Sequence, residues 1–171
     1  MLPRPTRRLR FREMTDEDLD NLTETLSAPD PHRSDHPPRT RADAERWIAW
    51  NRDNYDRHGF GLWVLETHDG RFVGDCGLTI QEVEGEDFVE FGWHVHPDHR
   101  RMGYAAEAAA SVRSVAEEAR VADHLIAIIR PENVASQGVA RKIGLDLERE
   151  AFKHGGEVLI FGVTVSGSGV S

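Results

Sequence analysis

Residues 89–119 read VEFGWHVHPDHRRMGYAAEAAASVRSVAEEA, and the rest of the chain arranges itself around them. An apolar, aromatic run (Val89, Phe91, Trp93, Val95) closes at Pro97, and a basic turn follows, His99-Arg100-Arg101-Met102-Gly103. An alanine-rich segment then continues with no helix breaker before Val121. The pattern predicts a strand, an anion-binding loop and a long helix. The first N–H groups of a helix have no intrahelical partners, and the dipole there amounts to roughly half a positive charge. Gly103 lets the backbone come close to a bulky anion, and Arg100 and Arg101 add paired donors suited to phosphate. Together these features describe a pyrophosphate site.

Composition limits what surrounds that site. A chain of 171 residues suits one domain with a real core, and a hydrophobic fraction of 39% fits a globular α/β protein. No apolar run approaches the roughly 20 residues that span a membrane. The opening MLPRPTRRLRF is basic but has no apolar segment behind it, so it does not read as a secretory signal. A single cysteine, Cys76, cannot form an intramolecular disulfide, and a cytoplasmic location is the default expectation. The formal net charge of −9 argues against a nucleic-acid-binding face. Against it, His96, His99, Arg100 and Arg101 form a local basic notch that suits an anionic cofactor, with a cationic amine as its counterpart substrate.

In chain order, Arg7 to Arg12 alternates charged and apolar residues, as an edge strand does. Thr15 or Asp16 caps a short helix with Leu19, Leu22 and Leu26 on one face. The proline-rich stretch Pro29 to Arg39 is a loop, and Thr40 caps a second helix that runs through Arg57 to Gly59, with Ala44, Trp47, Ile48 and Tyr55 on or near its buried face. Leu62–Glu66 and Phe72–Glu82 form a hairpin around His68-Asp69-Gly70. Glu84 to Asp87 is an acidic turn, and Phe88–His96 is the central strand. Gly103–Arg120 is the central helix, Leu125–Ile129 a buried strand, and Ala135–Ile143 a helix closed by Gly144. Leu147–Lys153 and Val158–Val165 make a last hairpin around Gly155-Gly156. Residues 1–165 are read as one domain and 166–171 as a frayed Gly/Ser tail.

The spacing Arg100-x-x-Gly103-x-Ala105 fits the Q/R-x-x-G-x-G/A signature of the acetyl-CoA-dependent N-acetyltransferases of the GNAT superfamily, and Val95-His96-Pro97 resembles the V-x-P that leads into it. The family's frequent glycine after the arginine is Arg101 here. The order β-α-α-β-β-β-α-β-α-β-β is also the family's, so the resemblance covers nearly the whole chain. The opening RLRFREMTDEDLDNL, the strand EFGWHV and the segment NVASQGVARKIGL resemble the ribosomal-protein N-terminal acetyltransferase (RimJ/RimL-like) branch. The resemblance implies an α/β fold with a mixed, mostly antiparallel sheet of about seven strands, four flanking helices and splayed central strands. It implies transfer of acetyl from acetyl-CoA to a primary amine of a small molecule or a protein N-terminus, in a ternary complex, without metal, nucleic acid or membrane; a homodimer is compatible with it. A catalytically inactive CoA-binding protein is the alternative. A different nucleotide-binding module has no G-x-x-x-x-G-K-S/T or G-x-G-x-x-G to support it.

Site residues follow from the same resemblance. Arg100 and the amides of Arg101, Met102, Gly103, Tyr104 and Ala105 would hold the pyrophosphate, and the backbone of Trp93, His94 and Val95 would pair with pantetheine. Asn133 would bond the pantetheine or substrate region, and Ser136 would donate to the leaving thiolate; as plain structure, they are a helix N-cap and its third-position partner. The family's acidic tyrosine seven positions after the asparagine is Ala140 here. Acetyl transfer needs a neutral amine, so a base is wanted for a lysine-like group of pKa about 10.4 and less so for an N-terminus near 7.7–8.0. Alternation puts Glu90 on one face with Gly92, His94 and His96. By resemblance Glu90 can deprotonate the amine through water, with burial raising its pKa; as plain structure it is a glutamate satisfied by hydrogen bonds, and His94 and Glu148 are the other candidates for the base. A zinc site from His94, His96, His99 and His32 or His36 lacks carboxylate or cysteine support. Gly74-x-x-Gly77 reads as close strand packing, and Cys76 as an inert core residue.

Overall fold

A computed structural model describes residues 1–29 and 39–165 of the chain. It contains a seven-stranded sheet in the order β1-β2-β3-β4-β5-β7-β6. The strands are β1 (Leu9–Arg12), β2 (Leu62–Thr67), β3 (Phe72–Val83), β4 (Glu86–Val95), β5 (His124–Ile129), β6 (Asp146–Lys153) and β7 (Gly156–Thr164). All neighbouring pairs are antiparallel except β4 with β5, which is parallel. Four helices lie among the described residues: α1 (Leu19–Ser27), α2 (Arg41–His58), α3 (Tyr104–Ala119) and α4 (Val134–Lys142). The expected architecture is therefore present. His32 and His36, most of the loop from Pro29 to Arg39 and the tail 166–171 lie outside the described residues.

Local chemistry accounts for the boundaries. Thr15 and Asp18 form a capping box on a short 3-10 turn that leads into α1. Thr40 and Asp43 form another at the start of α2, which ends where Gly59 turns left-handed. Two sequence readings shift. β1 is confined to Leu9–Arg12, because the chain before it is held by side-chain bonds to α3 rather than by a strand partner. The acidic turn contracts from Glu84–Asp87 to Glu84-Gly85 alone. Both residues have positive φ, 51° and 88°, which matches the twist of the flanking strands. Glu86 and Asp87 instead extend β4, opposite Val83 and Glu82.

The two faces of the sheet carry different layers. On one, the small residues Ala108, Ala109, Val112 and Ala116 of α3 sit fully buried with Trp63, Leu78, Phe91 and Phe161. Alanine favours the helix and lets it approach the sheet closely. On the other, Met14, Leu22, Ile48, Leu62 and Val64 pack beneath α1 and α2. β4 therefore turns Phe91, Trp93 and Val95 toward α3, and Glu90, Gly92 and His94 to the opposite face, where His94 meets Trp47 of α2 and Glu90 meets Thr79 of β3. Gly74 and Gly77 are packing glycines, as expected. A Cβ on Gly74 would stand 2.0 Å from the His94 carbonyl oxygen, and one on Gly77 would stand 1.9 Å from that of Gly61. Cys76 is fully buried, and burial pushes its thiol pKa well up, so it holds its proton.

Candidate active site

The parallel pair β4–β5 registers at only two positions, Val89 with Leu125 and Glu90 with Ile126. Beyond them β4 stays bonded to β3 as far as Val95 opposite Gly74. Its other edge, from Phe91 to Val95, has no strand partner among the described residues. A parallel sheet normally keeps its ladder along the whole overlap, so this gap between β4 and β5 exposes backbone donors and acceptors that an extended ligand can pair with.

The loop from Pro97 to Gly103, read from the sequence as an anion loop, closes the end of the gap. Pro97–His99 makes a single 3-10 turn. Arg100 folds back so that its Nε donates to the Val95 carbonyl at 3.2 Å. Arg101 has φ 62° and Gly103 has φ 80°. The left-handed backbone at 101 is the conformation glycine adopts most easily; arginine occupies it here although most side chains avoid it. Gly103 is the N-cap of α3 and supplies no side-chain cap, whereas Thr40 and Asn133 cap α2 and α4 through their side chains. The N–H groups that open α3 thus remain available to an anion. The α3 start is held from behind by Arg8, which sequence reading missed. Its Nε donates to Glu107 at 2.7 Å, its Nη1 to the Met102 carbonyl at 2.8 Å, and its guanidinium lies 4.4 Å from the centre of the Tyr104 ring. Burial would raise the Glu107 carboxyl pKa, but hydrogen bonds from Thr6 and Arg8 outweigh it and hold the group below its usual range.

Across the gap, Asn133 and Ser136 stand at the head of α4. Asn133 Oδ1 accepts from the Ser136 N–H at 3.1 Å, an N-cap bond that leaves the amide Nδ2 as a donor. The Trp93 indole N–H donates to Ser136 Oγ at 3.2 Å and so links the α3 face of β4 to α4. With one lone pair engaged, the Ser136 hydroxyl hydrogen is free to turn elsewhere. Ala140, where the resemblance would place an acidic tyrosine, is fully buried and has no acid to offer.

Glu90 sits where the β4–β5 ladder ends. Burial pushes its carboxyl pKa up to about 7, against the opposing pull of hydrogen bonds from Thr79 and the Ile128 N–H and of the Lys153 charge. Thr79 Oγ1 donates to Glu90 Oε2 at 3.3 Å. Further along the same face, His94 Nδ1 lies 2.8 Å from Oδ1 of Asp75, a fully buried carboxylate on β3. The other oxygen of Asp75 accepts from the Trp47 indole N–H of α2 at 3.1 Å. The Trp47 and His94 rings meet edge to face at 5.4 Å. Sequence reading named His94 but not Asp75. Glu148 is not brought to the gap. It pairs with His124 at 2.9 Å, at the opposite end of β5 from the splay. His96 bonds to Glu24 of α1 at 2.9 Å. Among the described residues, no three His, Cys, Asp or Glu side chains gather as metal ligands do. Among them, too, no helix is long and apolar enough to cross a membrane.

Comparison with known proteins bears on this geometry. The family model of the acetyltransferase (GNAT) domain matches residues 8–146. A Bacillus subtilis (strain 168) protein, YkkB, is 30% identical over 158 residues, covering 91% of this chain and 92% of its own. Among solved structures, an acetyltransferase from Agrobacterium tumefaciens str. C58 superposes with a TM-score of 0.81 at 24% identity, over 95% of this chain and 94% of that one. RimJ of Mycobacterium smegmatis, in complex with CoA-disulfide, superposes with a TM-score of 0.72 at 22% identity, over 96% of this chain and 90% of that one.

Proposed function

The chain belongs to the GNAT acetyltransferase family, and from that premise we propose that residues 1–165 act as one domain in the cytoplasm, taking the acetyl group of acetyl-CoA to a primary amine. The amine is that of a small molecule or a protein N-terminus, and attack is direct, within a ternary complex. The observation that carries the reading is the junction of two features. The β4 edge loses its β5 partner after Glu90, and the same strand runs straight into a helix start that no side chain caps.

The residues fit the cofactor. The α3 amides from Arg101 to Ala105, with the Arg100 and Arg101 side chains, would hold a pyrophosphate. The free edge at Trp93, His94 and Val95 would pair with the amide groups of pantetheine. When bound, acetyl-CoA supplies an activated thioester carbonyl. Ser136 donates its hydroxyl proton toward the sulfur, its oxygen held by the Trp93 indole. The second Asn133 donor steadies the arm. Glu90 accepts, through a water, a proton that the acceptor nitrogen sheds as the amide forms. Its pKa of about 7 places it half ionised near neutrality, so activity rises with pH through that value. Orientation of the two reactants supplies most of the rate.

Calorimetry with CoA, followed by thiol-release assays with acetyl-CoA over a panel of small amines and peptides with free N-termini, tests the reading. Micromolar CoA binding and turnover on at least one amine support it. CoA binding without turnover on any amine leaves a binding protein, and no CoA binding removes the proposal.

A further inference from the structure

An ammonium acceptor sheds two protons from its nitrogen on becoming an amide, and Glu90 takes one of them. We propose that His94, oriented by Asp75, takes the other, so that the two residues form a base pair of sites on one face of β4 and select acceptors that arrive charged. The inference rests on the acetyl-transfer reading and adds a second base and an acceptor class to it.

The geometry is that of an oriented imidazole. An ionised carboxylate can only accept hydrogen bonds. Asp75 Oδ2 accepts from the Trp47 indole and Oδ1 faces His94 Nδ1. Nδ1 therefore carries a hydrogen, and in the neutral ring Nε2 presents a lone pair. Among the described residues Nε2 has no hydrogen-bond partner, and the His94 side chain is 31% accessible while Asp75 is 0% accessible. Holding a base by a buried carboxylate on its second nitrogen fixes both tautomer and direction, and it stabilises the imidazolium once the proton arrives. Burying a carboxylate is costly unless it has partners, and a position that served only to pack β3 against α2 would be filled by an apolar residue at lower cost.

Placement agrees. His94 lies on the unpartnered stretch of β4, under α2, beside the α1 contact made by His96 and Glu24. Glu90 lies on the same face four residues earlier, so Gly92 is bracketed by the two. At about 3.3 Å per residue, each is roughly 7 Å along the strand from Gly92, within reach of a nitrogen there by side chain and one water. The charged and titratable groups around His94 are Asp75 from β3, Arg39 on the Trp47 ring at the head of α2, Glu24 of α1 through His96, and Glu90. Proton balance closes. One N–H of the ammonium passes to His94 Nε2, and the freed lone pair forms the C–N bond as the C–S bond breaks. The electron pair stays on sulfur, which takes a proton from the Ser136 hydroxyl as part-exposed Ser136 regains one from solvent water, and the nitrogen's second proton passes through water to Glu90.

Two measurements decide it. Long-range proton–nitrogen NMR of imidazole-labelled protein, with His94→Gln assigning the signal, should show the Nδ1-protonated tautomer in the wild type. The Nε2-protonated tautomer overturns the proposal, and this arm needs no acceptor, so it stands apart from failure of the acetyl-transfer reading. Kinetics then use two acceptors of one shape, the second fluorinated to lower its amine pKa. His94→Gln should lose roughly 10²-fold in kcat/KM on the basic amine at neutral pH. It should lose far less on the fluorinated one, which arrives largely neutral, and KM for acetyl-CoA should not change. Asp75→Asn should reproduce that selectivity by turning the tautomer. Equal losses on both acceptors would reduce the pair to a structural tie between β3, β4 and α2, and overturn the assignment.

Discussion

Replacing Glu90 by Gln should stabilise the protein at alkaline pH while it weakens the enzyme at neutral pH. In the folded chain Glu90 holds its proton up to about 7, and its ordinary value is 4.5. Between those values the folded state binds more protons than the unfolded one, so stability falls as pH rises. The sign is opposite to that of an ion-paired carboxylate. The penalty builds from about pH 4.5 to 7 and is complete above. The difference between the two values, at about 1.4 kcal/mol for each tenfold in the proton equilibrium, is about 3 kcal/mol. Glu90 is only partly buried by area, so screening by water leaves roughly 1–3 kcal/mol. Gln keeps the shape and can still accept from Thr79 and the Ile128 N–H, but carries no charge to desolvate. For a domain of this size each kcal/mol moves Tm by roughly 2–4 °C. Thermal unfolding of both proteins at pH 5 and pH 8.5 should therefore show the variant gaining several degrees relative to wild type at the higher pH. In the thiol-release assay kcat should fall near neutrality and recover in part at alkaline pH, where the amine arrives with one proton fewer to lose. A Tm difference that is the same at both pH values would refute the raised pKa, and an activity loss equal at every pH would make Glu90 a positioning residue.

Three further outcomes follow from the loop and the acid. Gly103→Val adds a β-branched side chain at φ 80°, with its Cβ 3.4 Å from the Arg8 guanidinium; CoA affinity by calorimetry should fall at least about tenfold, or 1.4 kcal/mol, and unchanged affinity in a folded variant would remove the anion loop from the site. Ser136→Ala should lower kcat more than it weakens CoA binding, because its bond strengthens only as charge develops on sulfur; full kcat would leave Ser136 a helix-start residue with water as the acid. Arg8→Ala removes the charged bonds to Glu107 and the Met102 carbonyl, each worth about 1.5–3 kcal/mol where buried and less here because Arg8 is part exposed; it should lower Tm by a few degrees and weaken CoA binding, and a variant that changes neither would show that the loop stands without it.

The strand, turn and helix at residues 89–119 were legible because local signals agree there: alternation on β4, a proline stop, a glycine at the helix start and an alanine-rich run. Glu90 was legible as one face of that alternation. Asp75 was not, and the reason is register. A strand pairing displaced by one residue turns every side chain to the other face. Reading the turn as Glu84–Asp87 left the pairing of β3 with β4 undefined. Once the turn is confined to Glu84-Gly85, counting outward from Val83 and Glu86 places Asp75 opposite His94. Two adjacent residues of positive φ are what such a turn requires, and Gly85 was the available signal. Arg8 was hidden for a different reason. Its partner Glu107 is 99 residues away, and nothing local marks an arginine on an edge strand as the support of a distant helix start.

The fold separates tasks by the geometry of a single strand. β4 has two faces and two edges. One face packs on α3, which fixes the helix start where the phosphates would bind. One edge is committed to β3, which fixes the register that sets Asp75 behind His94. The other edge is released from β5 after Glu90, which leaves backbone where the proposed pantetheine arm would pair. The remaining face carries Glu90 and His94, with His94 against Trp47 of α2. On the proposed roles, a shift of β4 along β3 would therefore disturb proton transfer and cofactor binding together, because both would be indexed to one ladder. Gly74 holds that ladder, and Gly77 holds the pairing of β3 with the start of β2. A side chain at either would meet backbone oxygen at 2.0 Å or less, and the oxygen met at Gly74 belongs to His94 itself. The packing glycines thus belong to the active-site argument even though no ligand touches them.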